Sequence, residues 1–472
     1  AGGGWLRKLP AACVHRSGPA TMKDGSYEEE HYARSRSGLS GRTGGRTTRY
    51  LKGTSAHKPS NVDGQGVMAL FRHPLCFLLL CLPCGIYTHF AGWNDVWTFW
   101  LNFFAMVPLA KILGDVTEEL AAGLRNELLA GLLNATFGNA VEMVITVQTL
   151  RQGLFEVVKA TLMGSVLSNV LLVLGMSFFF GGIVNARTTS ASAHLAKGLV
   201  RAHSDESNIV EAEYSAFVAE KVQYFQALGA LVNTSMLLLS CLSFSLVTVF
   251  HVITRVDTGT SYAMETMLPV SRLCSLIIIS AYVAYIVFQL GTHREVLSAC
   301  EESEGAEEAE EPRLSVPTAT VALFMMTIIT AFSSEILVEA IEGVTREAHI
   351  GEHFIGIILL PIIGNACEHA AAVRFAMQDK PGLSIGIAVG SSTQIALFVV
   401  PFSVLTGWAI EKDMDLNFGA LNTTVMTLSV VVVLSMVVDG MSNWLQGYLL
   451  CAAYAVIAVL YWYLPNELPE VE

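Results

Sequence analysis

The sequence predicts an all-α polytopic membrane protein with about eleven transmembrane helices, one leading helix followed by two inverted five-helix repeats. Three observations predict it: the composition, the recurrence of long apolar runs, and an internal duplication built around an acid inside such a run. Of the 472 residues, 53% are apolar and 15% charged, against about 25% charged in a soluble globular domain. Apolar runs of about 20 residues, the length a helix needs to cross about 30 Å of hydrocarbon, fall near residues 68–90, 97–120, 128–150, 158–181, 223–250, 271–291, 317–342, 353–377, 383–407, 420–440 and 443–464. Their Leu, Val and Ile show no period-2 alternation, which predicts helices and not strands of a transmembrane barrel.

With the first run set aside, five runs precede a charged loop and five follow it. A unit of five spans ends on the side opposite its start, so a second copy enters the membrane inverted. The expected division is a mobile basic cytoplasmic tail (1–66), a first transmembrane helix (67–92), a first repeat (93–291), an acidic cytoplasmic linker (292–316), a second repeat (317–464) and a C-terminal tail (465–472). The N-terminal tail is rich in Gly, Ser, Thr and Arg without hydrophobic periodicity. Its Arg7, Lys8, Arg34, Arg36, Arg42, Arg46, Arg49, Lys52 and Lys58 belong to a chain of formal net charge −13, and this basic excess predicts a cytoplasmic tail. The first residue is Ala and not Met, the form of a fragment or a processed product. The nine Cys are scattered and form no disulfide framework. Cys81 and Cys84 have redox-motif spacing but lie in the first apolar run without a βαβ context, which favours packing.

The duplication is Gly138-Asn139-Ala140-Val141-Glu142 and Gly364-Asn365-Ala366-Cys367-Glu368, with Gly164-Ser165 and Gly390-Ser391 at the same distance behind each Glu. A carboxylate at the centre of a membrane helix costs about 2.5–3.5 kcal/mol on insertion scales, so an acid placed twice in one local setting needs a functional reason. Inversion brings the two motif helices together from opposite faces, with their carboxylates near the midplane. Calcium takes about 6–8 oxygens, and two carboxylates supply at most four of them. Asn139, Asn365, Ser165, Ser168, Ser391, Ser392 and Gln394 can add oxygens, with freed backbone carbonyls at Gly138 and Gly364. Glycine weakens the helix at both positions, and Pro361 removes a donor one turn before Gly364. Glu142 and Glu368 are therefore the expected cation ligands. For any single Gly, close helix packing is the alternative explanation.

Zinc or copper would want Cys or His clusters, and the motifs offer only Cys367 and His369. His369, with an intrinsic pKa of about 6.5, is a candidate proton carrier, set against a packing role with one hydrogen bond. Glu118 and Glu119 close the second run, and Glu335, Glu339 and Glu342 recur at i, i+4 and i+7. Carboxylates sharing a helix face repel when ionised, which makes Glu335 and Glu339 candidates for a proton and cation pathway.

These stretches carry a family resemblance. GNAVE and GNACEHAAAVRFAMQDK, with KATLMGSVLSNVLLVLGMSFFFGG, SIGIAVGSSTQIALF, SSEILVEAIEGV and DGMSNWLQG, resemble the two halves of CAX-type calcium(cation)/proton exchangers of the calcium:cation antiporter superfamily, over about residues 70–464. The resemblance implies eleven helices, a cation site between Glu142 and Glu368, no cofactor, and a multi-pass protein of the vacuolar or another acidic-organelle membrane. Its partners would be divalent cations (Ca2+, with Mn2+ or others), protons and the bilayer, with no nucleic acid. The loop 182–222 is longer than the family's linker, and the basic tail stands where plant members carry an inhibitory N-terminus. A calcium gradient of ~10³ costs about 4 kcal/mol before any voltage contribution, and two protons falling through two pH units return about 5.4 kcal/mol, so the exchange is thermodynamically open.

Three other readings remain open. Sodium can replace protons on the same fold. His349-Ile-Gly-Glu352-His353 fits the H-x-x-E-H pattern of a zinc metalloprotease, although it sits in a short loop with no distal carboxylate. A cation channel would lack counter-movement of protons.

In the linker, Glu295, Glu301, Glu302, Glu304, Glu307, Glu308, Glu310 and Glu311 form either a solvated connector or a regulatory, cation-attracting segment. Replacing these Glu with Gln is expected to alter apparent cation affinity without abolishing transport, and the effect should shrink at high ionic strength. Complete loss of transport in well-folded protein would make the segment a working part of the cycle, and no change would leave it a connector.

Overall fold

The computed structural model describes residues 61–124, 127–185, 222–258, 260–293 and 312–465. The basic tail up to residue 60, most of the 182–222 loop, and Glu295, Glu301, Glu302, Glu304, Glu307, Glu308, Glu310 and Glu311 lie outside them. The chain opens with α1 (Asn61–Leu70), a 3₁₀ turn (Pro74–Leu80) and α2 (Cys81–Phe90). The first repeat region contributes α3 (Asp95–Gly123), α4 (Glu127–Phe137), α5 (Ala140–Arg151), α6 (Phe155–Asn185), β1 (Gln223–Tyr224), α7 (Ala227–Thr258) and α8 (Thr260–Val287). The second contributes α9 (Val316–Ala348), α10 (Glu352–Gly364), α11 (Ala366–Met377), α12 (Pro381–Ala409), α13 (Ala420–Val437), β2 (Met441–Ser442) and α14 (Trp444–Trp462).

Among the described residues, eight helices are long and apolar enough to cross a membrane, or ten if each of two sharply bent pairs is one span. The eleven expected are not reached by that measure, and the reason is local. The expected run at 128–150 is divided into α4 and α5 at Gly138-Asn139, and neither half spans 18 residues. The first run bends by 77° between α1 and the segment Pro74–Phe90, and the run at 353–377 bends by 61° between α10 and α11. The second helix of each repeat region is therefore a broken one.

Inversion is visible in the side-chain contacts. At the face flanked by the linker ends, Glu119 near the end of α3 accepts hydrogen bonds from the backbone N–H groups of Arg313 (2.7 Å) and Leu314 (3.2 Å), just before α9. At the far face, Asn94 before α3 donates to Glu347 near the end of α9, and His89 Nε2 lies 3.7 Å from Glu339. Corresponding helices α3 and α9 thus run antiparallel. Arg151 at the end of α5 approaches Glu335 (3.9 Å) towards the far face, whereas α11 ends at the linker face, where Gln223 Nε2 donates to Ala376 O (3.1 Å) and Asp379 (2.8 Å). The two-stranded antiparallel β1–β2 pairing, Gln223 with Ser442 and Tyr224 with Met441, ties down the same face.

Local signals set the helix ends. Asn94 caps α3 by accepting from Val96 N–H (2.7 Å), with Asp95 in the first turn where the helix dipole favours an acid. Asn443 and Gln446 form a capping box on α14. Exposed aromatic residues gather at both ends of the bundle, with Trp93, Trp97, Trp408, Trp462 and Tyr463 towards the far face and Tyr224, Trp444 and Tyr448 towards the linker face. This is the arrangement of interfacial aromatic belts. Exposed Leu242, Ile277, Phe324 and Val456 lie between them, as befits a lipid-facing surface.

Two apolar cores result. One is built from α3, α5, α9 and α10 around Phe99, Met106, Ile145 and Leu337. The other is built from α6, α7, α8, α12, α13 and α14 around Leu162, Phe178, Phe244 and Val430. They join where α6 crosses α10 at close range: a Cβ on Gly164 would collide with the Ile357 backbone carbonyl, and one on Gly356 with the Ala160 side chain. Gly164→Val should therefore lower the melting temperature of detergent-solubilised protein, by a destabilisation of about 1–3 kcal/mol or more. An unchanged melt would show that the crossing is looser than described.

Candidate functional site

Each Gly-Asn motif occupies a break in a helix. α4 stops at Phe137, Gly138-Asn139 turns, and α5 begins at Ala140; α10 stops at Gly364, and α11 begins after Asn365. Asn139 (φ −105°, ψ 30°) and Asn365 (φ −87°, ψ 4°) have left the helical region, which interrupts the backbone ladder. Glu142 and Glu368 are each the third residue of the helix that follows. At that position the positive end of the helix dipole stabilises a carboxylate.

Glu142 is buried, at 3% exposure, and it reaches across to the opposite break. Its carboxylate oxygen lies 2.3 Å from where a Cβ on Gly364 would be. Glycine is required there for the close approach, since any side chain would displace the carboxylate. Glu368 is half-buried and near enough for the two charges to act on each other. A hydrogen-bonded chain of residues from both repeats ends on Glu368. Asn139 Nδ2 donates to Gln394 Oε1 (2.8 Å), Ser391 Oγ donates to Asn139 Oδ1 (3.2 Å), and Asn169 Nδ2 donates to Ser391 Oγ (3.1 Å) and Glu368 Oε2 (2.8 Å). Across the site, Asn365 Nδ2 donates to the Ser165 carbonyl (3.1 Å). The two repeats thus exchange contacts, each motif Asn meeting the Gly-Ser segment of the other.

Buried Asn365 Oδ1, Asn169 Oδ1 and Ser165 Oγ have no hydrogen-bond partner. Buried oxygens are nearly always satisfied, so these atoms are open to a further partner such as a water or a cation. Among the described residues, no group of three or more His, Cys, Asp or Glu is gathered to hold a metal. The oxygens here come from two carboxylates, amides and hydroxyls, a set suited to a hard cation and not to zinc or copper. A π-turn follows at matching positions in both repeats, Ser168–Val173 in α6 and Ile395–Val399 in α12. Such widened turns recur beside functional sites.

Several expected residues lie elsewhere. Glu335 approaches Arg151 and Glu339 approaches His89, both towards the far face and outside the hydrogen-bonded chain that ends on Glu368. Glu119 is engaged with the backbone before α9. His369 Nδ1 lies 2.7 Å from the Asn365 carbonyl of its own helix; a carbonyl only accepts, so Nδ1 carries the hydrogen. Ser392 donates to Ala388 O (2.9 Å), and Ser168 faces the Tyr454 hydroxyl. Pro361 lies in the last stretch of α10, following the π-turn Ile355–Leu359.

Sequence reasoning missed Asn169 because its repeat counterpart is Ile395, so a search for duplicated residues passes over it. Its signal was a lone amide in a long apolar run. It also missed Lys159, which is buried at 5% exposure with Glu156 (3.0 Å) and Asp415 (2.9 Å) as partners. This cluster fastens the far-face end of α6 to the loop between α12 and α13.

The chain is similar to known proteins over most of its length. The profile described as sodium/calcium exchanger protein matches residues 94–291 and 318–463. A vacuolar cation/proton exchanger 2 of Oryza sativa subsp. japonica is 36% identical over 80% of this chain and 78% of its own length. A Ca(2+)/H(+) antiporter of Synechocystis sp. is 36% identical over 82% and 97%. The solved structure of native YfkE superposes with a TM-score of 0.64 at 31% identity, covering 83% of this chain and all of that one; a selenium-substituted structure of YfkE describes it as a Ca2+/H+ antiporter. With the broken helices and paired glutamates in place, the chain belongs to the sodium/calcium exchanger protein family and, within it, to the cation/proton exchangers of the calcium:cation antiporter superfamily.

Proposed function

We propose that this protein is a secondary active antiporter that moves Ca2+, and with it Mn2+ or related divalent cations, out of the cytosol into an acidic compartment in exchange for H+. The observation that carries the reading is the meeting of Glu142 and Glu368 from two oppositely directed broken helices in surroundings of amide and hydroxyl oxygens. The similarity to proteins named cation/proton exchanger and Ca2+/H+ antiporter supports the choice of ions. The vacuolar naming of the rice relative and the basic tail support an acidic-organelle membrane with the linker face towards the cytosol.

Charge balance gives the mechanism. Two ionised carboxylates carry two negative charges, which one divalent cation neutralises and two protons neutralise equally. Leaving both ionised and bare in a low-dielectric interior is costly. The site therefore changes its exposure from one face to the other while loaded with either the cation or the protons, and that alternation is exchange. Asn169 holds the Glu368 carboxylate, Ser391, Asn139 and Gln394 continue from it in one hydrogen-bonded chain whose oxygens are available to the cation, and Asn365 and Ser165 form the opposite wall. The two apolar cores are the bodies whose relative movement would open one face and close the other.

Sodium exchange is the second reading, favoured by the sodium/calcium exchanger profile that the chain matches. It is tested together with the first. In proteoliposomes an imposed pH gradient should drive Ca2+ uptake, a protonophore should stop it, and a sodium gradient alone should not support it; the reverse pattern selects sodium. Glu142→Gln and Glu368→Gln should each reduce pH-driven uptake at least about a hundredfold while leaving protein in the membrane, because the amide keeps the shape and removes the charge that holds the cation. Near-normal uptake in either variant would place the site elsewhere.

Gly364→Ala adds one methyl group against the Glu142 carboxylate. The expected outcome is an apparent KM for Ca2+ raised about tenfold, since displacement of a ligand by an ångström weakens coordination without unfolding a helix that tolerates Ala. An unchanged KM would mean that Glu142 does not need that approach to bind cation.

A further inference from the structure

Close to the paired glutamates, α3 carries an ionic pair that the duplication does not predict and the exchange cycle above does not use. Lys111 and Asp115, one turn apart, are ion-paired through Lys111 Nζ and Asp115 Oδ2, and both are half-buried in a helix that crosses the membrane. Glu118 continues the same face at i+7 and is exposed. On α11, which packs against α3, Cys367 and Arg374 share a face by the same spacing. Cys367 lies within electrostatic reach of Asp115, Lys111, Glu368 and Glu142, and Glu118 lies within reach of Asp115, Lys111 and Arg374. Both helices run towards the linker face. The seam of contact between them therefore leads from Cys367, next to Glu368 in the chain, towards that face.

We propose that the Lys111–Asp115 pair is a specificity-determining element of the linker-face approach to the cation site, setting the apparent affinity for divalent cations. This rests on the antiporter reading. A cation moving along the seam passes the Lys111 ammonium, which repels a divalent ion with twice the energy it applies to a monovalent one, and the effect is strong where water is scarce. Asp115 cancels that charge. Removing the acid leaves a net positive seam that repels the incoming cation, and removing the lysine leaves a net negative one that attracts it. A pair that only satisfies two charges inside the membrane would show neither response, because losing either member would lower the amount of folded protein without moving affinity in opposite directions.

The test is pH-driven Ca2+ uptake by the full chain in proteoliposomes, with Ca2+ supplied at the linker face. Asp115→Asn should raise the apparent KM for Ca2+ about tenfold and Lys111→Met should lower it by a similar factor, with maximal rates held within about twofold. The double variant should return close to the wild-type KM, and both single effects should shrink with added salt. Lys111→Gln and Asp115→Ser carry the same test if either first variant fails to reach the membrane. Single variants whose KM is unchanged, or moves in one direction for both, overturn the inference while leaving the antiporter reading intact. Wild-type protein without pH-driven uptake overturns both.

Discussion

The contact on which the rest of the structure depends is the Glu142 carboxylate lying against the bare Cα of Gly364. An acid from one repeat occupies the break in the other, and this is possible only because the second helix of each repeat is interrupted at a Gly-Asn pair. The breaks point carboxylates at each other from opposite directions, and the same interruption supplies the helix N-termini that stabilise them. Remove the glycine and the carboxylate must retreat; remove the break and no acid reaches the centre.

Around that contact the apolar residues gather into two cores. The α3–α9 pair with α5 and α10 has its own apolar core, and α6 with α7, α8 and α12–α14 has another. Site residues come from both, with Glu142 on α5 beside the first and Asn169, Ser391 and Gln394 in the second. In the proposed cycle, movement between the bodies would alter the surroundings of the glutamates directly. The Lys159 cluster at the far face and the β1–β2 ribbon at the linker face each tie together elements of the second body.

Much of this was legible in the sequence because it was written twice. The duplicated Gly-Asn-Ala-x-Glu fixed the pairing of Glu142 with Glu368, and the odd number of apolar runs on either side of the linker required inversion, which the antiparallel course of α3 and α9 displays. What was not duplicated was harder to read. Asn169 has no polar counterpart in the second repeat, and the Lys111–Asp115 pair lies in a run otherwise read as plain membrane helix. Glu335 and Glu339 share a face as the spacing required, but periodicity gives a face and not a depth, and the structure sets them towards one end beside Arg151 and His89. The span count fell short for a related reason: hydropathy runs straight through Gly138-Asn139, whereas the backbone does not.

The central claim is that one pair of carboxylates holds either a divalent cation or protons. Proton release on Ca2+ binding to purified protein tests it most directly, measured by calorimetry in buffers of different ionisation enthalpy across a range of pH. The account predicts release approaching about two protons per Ca2+ bound at acidic pH, declining as pH rises, and sharply reduced in Glu142→Gln and Glu368→Gln. Calcium binding with wild-type affinity and no proton release at any pH would contradict it.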